Sequence, residues 1–456
     1  VQRKNKHLPT VLPFFVLFCL FFSSCCLAQE SSVIPFFDRH DKVLIMAPHP
    51  DDESIGTAGI IQRARKAGAQ VKVVCYTNGD HNELAFIVYE KRLVLKKSGF
   101  IYMGQIRKEE TVSAMGSLGL ARKDLVFLGY PDFGTMEILT KYWGGTKPFR
   151  YLLTRISRVP YQDALSPNAP YVGESILGDI KKVLREYKPN KIFVSHPADS
   201  NRDHKALYLF LRIALWDLSQ ELKEPQLFAY LIHVVGWPKP RGFHPELAIA
   251  PPLRLLQCNI PWQGLNLTEE EIQRKHKAVS FYKSQIKYNP PYLFTFVRKN
   301  EIFGDFPPLF LKMQGREEFY WQSLNEESNT DEPASFLPVV GYAYKGNNLY
   351  VRVKLRKKLI GKARISIFLL GYRHDTDFAA MPKIQITAGA GSVRVKEKKS
   401  VVFIKGLQKS IERDALILKI PLASLGSPEY ILSSIRTASS SLIDTNAWRI
   451  LQLRKK

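Results

Sequence analysis

Cysteine is scarce in this chain: five among 456 residues, with Cys19, Cys25 and Cys26 all close to the N-terminus. Cys75 and Cys258 remain, enough for one disulfide and far short of a disulfide framework. Cys75 lies in an apolar, strand-like run, the usual setting of a buried free thiol. No Cys-x-x-Cys pair occurs, so any bound metal must be held by histidine and carboxylate. Acidic residues are outnumbered, 42 against 66 lysines and arginines, for a formal charge of +24 at pH 7. That balance favours anionic partners and says nothing about fold. There is no internal repeat and no low-complexity tract. The first predicted strand is not followed by a glycine-rich turn, which argues against a nucleotide-binding Rossmann protein. With 45% hydrophobic and 24% charged residues, the composition excludes a disordered chain and a polytopic membrane protein.

What is present begins with an address. Arg3, Lys4 and Lys6 precede an apolar run over 8–22, followed by Ser23, Ser24 and then Leu27-Ala28-Gln29. A basic head, a short apolar middle and a small-residue exit predict a secretory signal peptide over 1–28 and an exported, periplasmic or extracellular protein. The run is short for a spanning helix. Cys25 after Phe22-Ser23-Ser24 loosely resembles a bacterial lipoprotein processing site, so a lipoprotein or membrane-anchored form is the alternative. Cleavage removes basic residues and no acid, so the remainder stays basic.

Between Asp41 and Phe306 the pattern alternates. Continuous apolar runs at Lys42–Ala47, 71–77, 124–128 and Lys191–Ser195 read as strands buried on both faces. Helical spacing appears over 57–67, 107–118, 176–187 and 203–215. Repeated βα units predict a Rossmann-like open, mostly parallel sheet with helices on both faces. A polar, acidic, proline-containing stretch follows, and then short β-rich segments without intervening helices, which predict an all-β sandwich. The expected division is an α/β domain over 29–325, a linker over 326–334 and a β-sandwich accessory domain over 335–456.

The chemistry-bearing motif is Pro48-His49-Pro50-Asp51-Asp52-Glu53, directly after the first strand. Residues just beyond the carboxyl end of a strand in an open α/β sheet sit in the ligand crevice. A second loop has the same placement: after Lys191–Ser195 comes His196-Pro-Ala-Asp-Ser-Asn201-Arg-Asp203-His204, leading into a helix. Together the loops can supply His49, Asp52 and His204, two imidazoles and a carboxylate with a fourth position open, which is a catalytic zinc arrangement. Asp51, not a ligand, is placed to take a water proton as general base. Asp203 is placed to orient an imidazole. Another divalent ion, such as iron, is accepted by the same mixed ligands.

The HPDDE turn, the later Asp-His before a helix and a downstream Lys275 to Ser284-Gln285 segment resemble the PIG-L/LmbE-type de-N-acetylases over Asp41 to Phe303. The resemblance implies removal of acetyl from an N-acetylglucosamine-type sugar or glycoconjugate. It implies zinc on His49, Asp52 and His204 and Asp51 as base. It also implies substrate-binding roles for Arg107, in Arg107-x-x-Glu110, and for Asp132, in Leu128-Gly-Tyr-Pro-Asp. Many members carry His-Pro-Asp-His where this chain has Asn201-Arg202-Asp203-His204, and the first His often serves at the oxyanion. Asn201 can donate a hydrogen bond but cannot deliver a proton, so His196 or an ordered water is the expected replacement. A pocket that binds glycan with weak or no turnover is the alternative function.

Tyr142, Trp143, Phe149 and Tyr151 suit either a sugar platform or ordinary packing. In the sandwich, Arg352, Lys354 and Arg356 alternate on one strand face, with Lys357, Lys358 and Lys362 close behind. They read as a solvated face, or as a patch for acidic polysaccharide or a membrane surface. Pro421-Leu-x-x-Leu-Gly and Trp448-Arg449 weakly resemble family 9 carbohydrate-binding modules. No motif supports nucleic acid as a partner.

Overall fold

Valine, isoleucine and leucine crowd the strand over Lys42–Ala47, and alternation sends them to opposite sides. Val43, Ile45 and Ala47 enter one core and Leu44 and Met46 the other. The structure, a computed structural model, describes residues 32–34, 36–81, 97–144, 147–151, 154–313, 319–323, 339–354, 364–389, 391–412, 415–438 and 443–454. The expected signal peptide, the expected linker and Arg356, Lys357, Lys358 and Lys362 lie outside the described residues. No described helix is long and apolar enough to cross a membrane.

The first sheet comprises β1 (Ser32–Val33), β2 (Lys42–Ala47), β3 (Gln70–Thr77), β4 (Leu125–Tyr130), β5 (Lys191–Ser195), β6 (Gln226–Tyr230), β7 (Gln263–Asn266) and β8 (Asn300–Phe303). Their order is β1-β7-β8-β6-β5-β2-β3-β4. The stretch β6-β5-β2-β3-β4 is parallel throughout. β8 is antiparallel to both β6 and β7. The helices are α1 (Asp52–Lys66), α2 (Lys97–Ser117), α3 (Thr135–Lys141), α4 (Gly173–Tyr187), α5 (Arg202–Asp217), α6 (Glu269–Val279), α7 (Lys283–Tyr288) and α8 (Pro290–Phe294). Residues of α1, α2 and α6 share one core with β2, and those of α4 and α5 share the other, so helices cover both faces. This is the expected α/β class. The order in which strands are added reverses between β2 and β5: β3 and β4 follow β2 on one side, and β6 follows β5 on the other. That switch point leaves a crevice where two adjacent loops diverge.

The remaining strands are β9 (Leu309–Lys312), β10 (Tyr320–Ser323), β11 (Val339–Lys345), β12 (Asn348–Lys354), β13 (Arg364–Tyr372), β14 (Lys383–Ala388), β15 (Val393–Glu397), β16 (Ser400–Val402), β17 (Gln408–Glu412), β18 (Ala415–Pro421), β19 (Tyr430–Ala438), β20 (Ile443–Thr445) and β21 (Arg449–Arg454). They form a five-stranded sheet, β10-β11-β12-β18-β17, and a second with the path β16-β15-β14-β13-β19-β21-β9. Leu349, Val351 and Val353 from the first and Ile365, Ile367 and Leu369 from the second meet in one core, as a sandwich requires. The boundary expected at 335 leaves β9 and β10 on the wrong side. β9 pairs with β21 and β10 with β11, so both are strands of these sheets.

The sandwich also shares a core with α5. Trp216 stacks on Tyr430 with centroids 4.6 Å apart, and Trp143 lies against Phe210 and Phe378. Trp143 is therefore packing, not platform. Cys75 is a buried free thiol, as expected.

Candidate metal centre and active site

Five loops leave the carboxyl ends of β2, β3, β4, β5 and β6. They bring side chains to the wall of one cavity of about 650 Å³, among them His49, Asp51, His81, Asp132, Asn201 and His233. At its floor, His49 Nδ1 lies 3.3 Å from Asp52 Oδ2. His204 Nε2 lies 3.1 Å from the same oxygen and 3.2 Å from His49 Nδ1. A tetrahedral zinc site with arms of about 2.0–2.1 Å has edges of about 3.3–3.4 Å. The three sequence-predicted ligands thus form one face of such a tetrahedron, and the donor set fits a divalent cation.

Carboxylates hold both imidazoles from behind. Asp132 Oδ1 lies 3.0 Å and Asp203 Oδ2 3.5 Å from His49 Nε2, which leaves Nδ1 for the cavity. Asp199 Oδ2 lies 3.1 Å from His204 Nδ1, which leaves Nε2. Burial alone would lower the histidine pKa values, but the carboxylates outweigh it. His49 is raised well above its ordinary value, and Asp199 and Asp52 raise His204 to about 9. Burial opposes ionisation of Asp52, yet His204 and His49 hold it well below the usual range. Protons now occupy a cluster that a cation would discharge.

Asp51 sits at the start of α1 with φ 122°, a backbone region non-glycine residues rarely enter. Its carbonyl accepts from Ser54 N and Ile55 N, so the strained residue caps the helix through its backbone. Arg107, on α2, holds it there. Its guanidinium donates to Asp51 Oδ2 at 3.0 Å, to Pro50 O at 2.6 Å and to Gly79 O at 2.9 Å. Gly79 has φ +61°, and a Cβ there would meet the Arg107 guanidinium at 2.0 Å. Burial pushes the Asp51 carboxyl up to about 8 despite Arg107.

Four further expected residues take the following places. Asp132, expected at the sugar, lines the cavity but also braces His49. Asp203 stands behind the imidazole of His49, its oxygens also accepting from Phe133 N, Thr135 N and Thr135 Oγ1, while Asp199 is the residue behind His204. His196 does not reach the cavity. Its ring stacks on Trp262 at 5.7 Å and its Nδ1 accepts from Ala198 N, while burial and Arg449 lower its pKa to about 3. Asn201 does line the cavity, with Oδ1 committed to Asp203 N as the cap of α5.

Sequence reasoning passed over Asp199, His233 and Tyr292. His233 follows β6, and its ring nitrogen lies within 4.8 Å of the ligand atoms of His49, Asp52 and His204. Asp199 carries a signal, an acid in the loop before the expected ligand; His233 carries none, because the five residues Gln226–Tyr230 do not stand out as a strand. At the mouth, His81 meets Tyr151 edge-on at 4.6 Å and Phe133 at 5.3 Å. Phe133 is half exposed and forms part of an aromatic wall.

These features define an α/β protein with a candidate divalent-metal site at the switch point of its sheet. Comparison with known proteins leads the same way. Residues 44–215 match the family model described as PIG-L, GlcNAc-PI de-N-acetylase. The chain is 28% identical over 199 residues to the 1D-myo-inositol 2-acetamido-2-deoxy-alpha-D-glucopyranoside deacetylase of Kineococcus radiotolerans, covering 42% of this chain and 50% of that protein. It is 28% identical over 156 residues to the "Probable N-acetyl-alpha-D-glucosaminyl L-malate deacetylase 2" of Bacillus subtilis, covering 33% of this chain and 66% of that protein. Among solved structures, the N,N'-diacetylchitobiose deacetylase from Pyrococcus horikoshii is similar at 20% identity and a TM-score of 0.36, over 58% of this chain and 82% of that one. Over this part of the chain the similarity is thus to PIG-L/LmbE-like deacetylases.

Proposed function

We propose that the protein is an exported, zinc-dependent hydrolase that removes the N-acetyl group from an N-acetylglucosamine-type sugar or glycoconjugate. The observation that carries this reading is the triangle of His49 Nδ1, Asp52 Oδ2 and His204 Nε2, with edges of 3.1–3.3 Å, beside Asp51 on one cavity wall. The relatives' names add the substrate class, and the N-terminal sequence adds export.

A bound divalent cation supplies Lewis acidity, acidifying a water and polarising an acyl oxygen. Asp51 takes the water proton and, once protonated, delivers it to the amide nitrogen as the C–N bond breaks. Acetate and a free amine result, and the carboxylate is restored. Arg107 fixes Asp51 in its strained conformation and opposes the rise in its pKa. Phe133, half exposed on the cavity wall, offers an aromatic face to a pyranose ring.

In the sandwich, Arg352 lies over Phe319 and pairs with Glu412, and Lys354 lies over Trp321. The accessory reading gives this face to acidic polysaccharide or a membrane surface.

The test is acetate release from a panel of N-acetylglucosamine conjugates by the full chain, with and without chelator. Release abolished by chelator, restored by zinc and lost in Asp51→Asn at undiminished metal content supports the reading. Release that survives both treatments contradicts it.

A further inference from the structure

His196 stacks away from the cavity, and Asn201, which caps α5 through Oδ1, keeps only its amide Nδ2 as a donor on the cavity wall. We propose that His233, oriented by Tyr292, is the catalytic residue that donates a hydrogen bond to that oxygen as it becomes an oxyanion. The inference rests on the deacetylase reading and deepens it.

Three observations carry it. His233 lines the cavity beside the ligand triangle, and its ring meets that of His204 edge-on with centroids 4.7 Å apart. Its backbone is clamped by the carboxylate that orients His204: Asp199 Oδ2 accepts from Ile232 N at 3.1 Å and from His233 N at 2.9 Å. The His233 carbonyl accepts from Ser200 N at 2.8 Å, tying the loop after β6 to the loop after β5. Asp199 therefore sets both imidazoles in one frame. Finally, Tyr292 OH lies 2.7 Å from His233 Nδ1, with the two rings stacked at 12°. With the phenol donating to Nδ1, the ring proton resides on Nε2, which becomes a donor and cannot ligate a cation. The role is hydrogen-bond donation, so no proton leaves His233 during the reaction. The rival assignment is a fourth metal ligand, which needs the opposite tautomer.

The test compares the full chain with His233→Leu, His233→Gln and Tyr292→Phe. It follows acetate release from p-nitrophenyl N-acetylglucosaminide and zinc affinity of the metal-free protein by competition with a chelator. Removing one oxyanion donor costs about 10²–10³ in kcat. His233→Leu should show that loss with KM and zinc affinity nearly unchanged, and His233→Gln, which keeps an N–H donor, should recover part of it. Imidazole 15N NMR of the zinc-loaded wild type should find the proton on Nε2 of His233, and Tyr292→Phe should weaken that preference. Zinc affinity that falls in step with activity in His233→Leu, or a proton on Nδ1, would assign His233 as a ligand and overturn the proposal. Wild-type release unaffected by His233→Leu would overturn it while leaving the deacetylase reading intact. Absence of release by the wild type removes that reading and this role with it.

Discussion

At the residue scale the site is a problem of placing negative charge. Six carboxylates, Asp51, Asp52, Glu53, Asp132, Asp199 and Asp203, are buried together with His49, His204 and Arg107. Such an assembly is tolerable only with cations among them, whether protons, a guanidinium or a metal. Because Asp199 and Asp52 raise His204 to about 9, a metal must displace a proton from that ring at neutral pH. Zinc affinity should therefore rise with pH from neutrality to about 9, with proton release visible by calorimetry in buffers of different ionisation enthalpy. A pH-independent affinity would contradict this. Replacing Asp199 by Asn removes the negative charge behind His204, and outer partners of metal ligands are typically worth about 10–100-fold in affinity. Equilibrium zinc competition should show a loss of that order.

His49, Asp51, Asp52 and His204 were legible because each lies in a short polar loop after an apolar strand, and strand ends are where such sheets do chemistry. Asp199 and His233 were harder for different reasons. Asp199 lies in the right loop, but nothing in the one-dimensional spacing says whether it or Asp203 faces His204. His233 follows a strand whose residues, Gln226-Leu-Phe-Ala-Tyr230, are too few and too mixed to stand out.

At the element scale, the apolar runs of β2 and β5 needed no tertiary information, because both faces of each strand are covered. The start of α1 did. Helical spacing suggested 57, yet the helix opens at Asp52, since the backbone of Asp51 caps it from a conformation held by α2. Side-chain spacing does not carry that information. The β3 turn takes part through Gly79. A side chain at Gly79 combines a positive φ with a clash against Arg107, so Gly79→Ala should displace the guanidinium from Asp51. A residue forced into such backbone strain costs about 1–3 kcal/mol. Thermal melts should show a loss of that order, and acetate release should fall with it. An unchanged melt would mean that Arg107 does not depend on this turn.

At the scale of the whole molecule, composition foretold an α/β region followed by a β-sandwich but not how the two share a core. Trp216 and Phe210 on α5 pack against Tyr430 and, through Trp143, Phe378. α5 also carries His204 in its first turn. Arg449 of β21 lies over Phe306, which meets the ring of His196 on the β5 loop. Truncation before β11 should therefore leave an aggregating fragment, and the intact chain should melt in one cooperative transition. A stable, zinc-binding fragment lacking the sandwich would show that the shared core is dispensable.

The central claim is that the loops after β2 and β5 jointly grip one divalent cation. Crystals of the zinc-loaded protein, measured at the zinc absorption edge, test it most directly. One strong anomalous peak is expected, bounded by His49 Nδ1, Asp52 Oδ2 and His204 Nε2, at about 2.0–2.2 Å from each. A peak elsewhere, or none at saturating zinc while those three side chains hold the arrangement described, would contradict it.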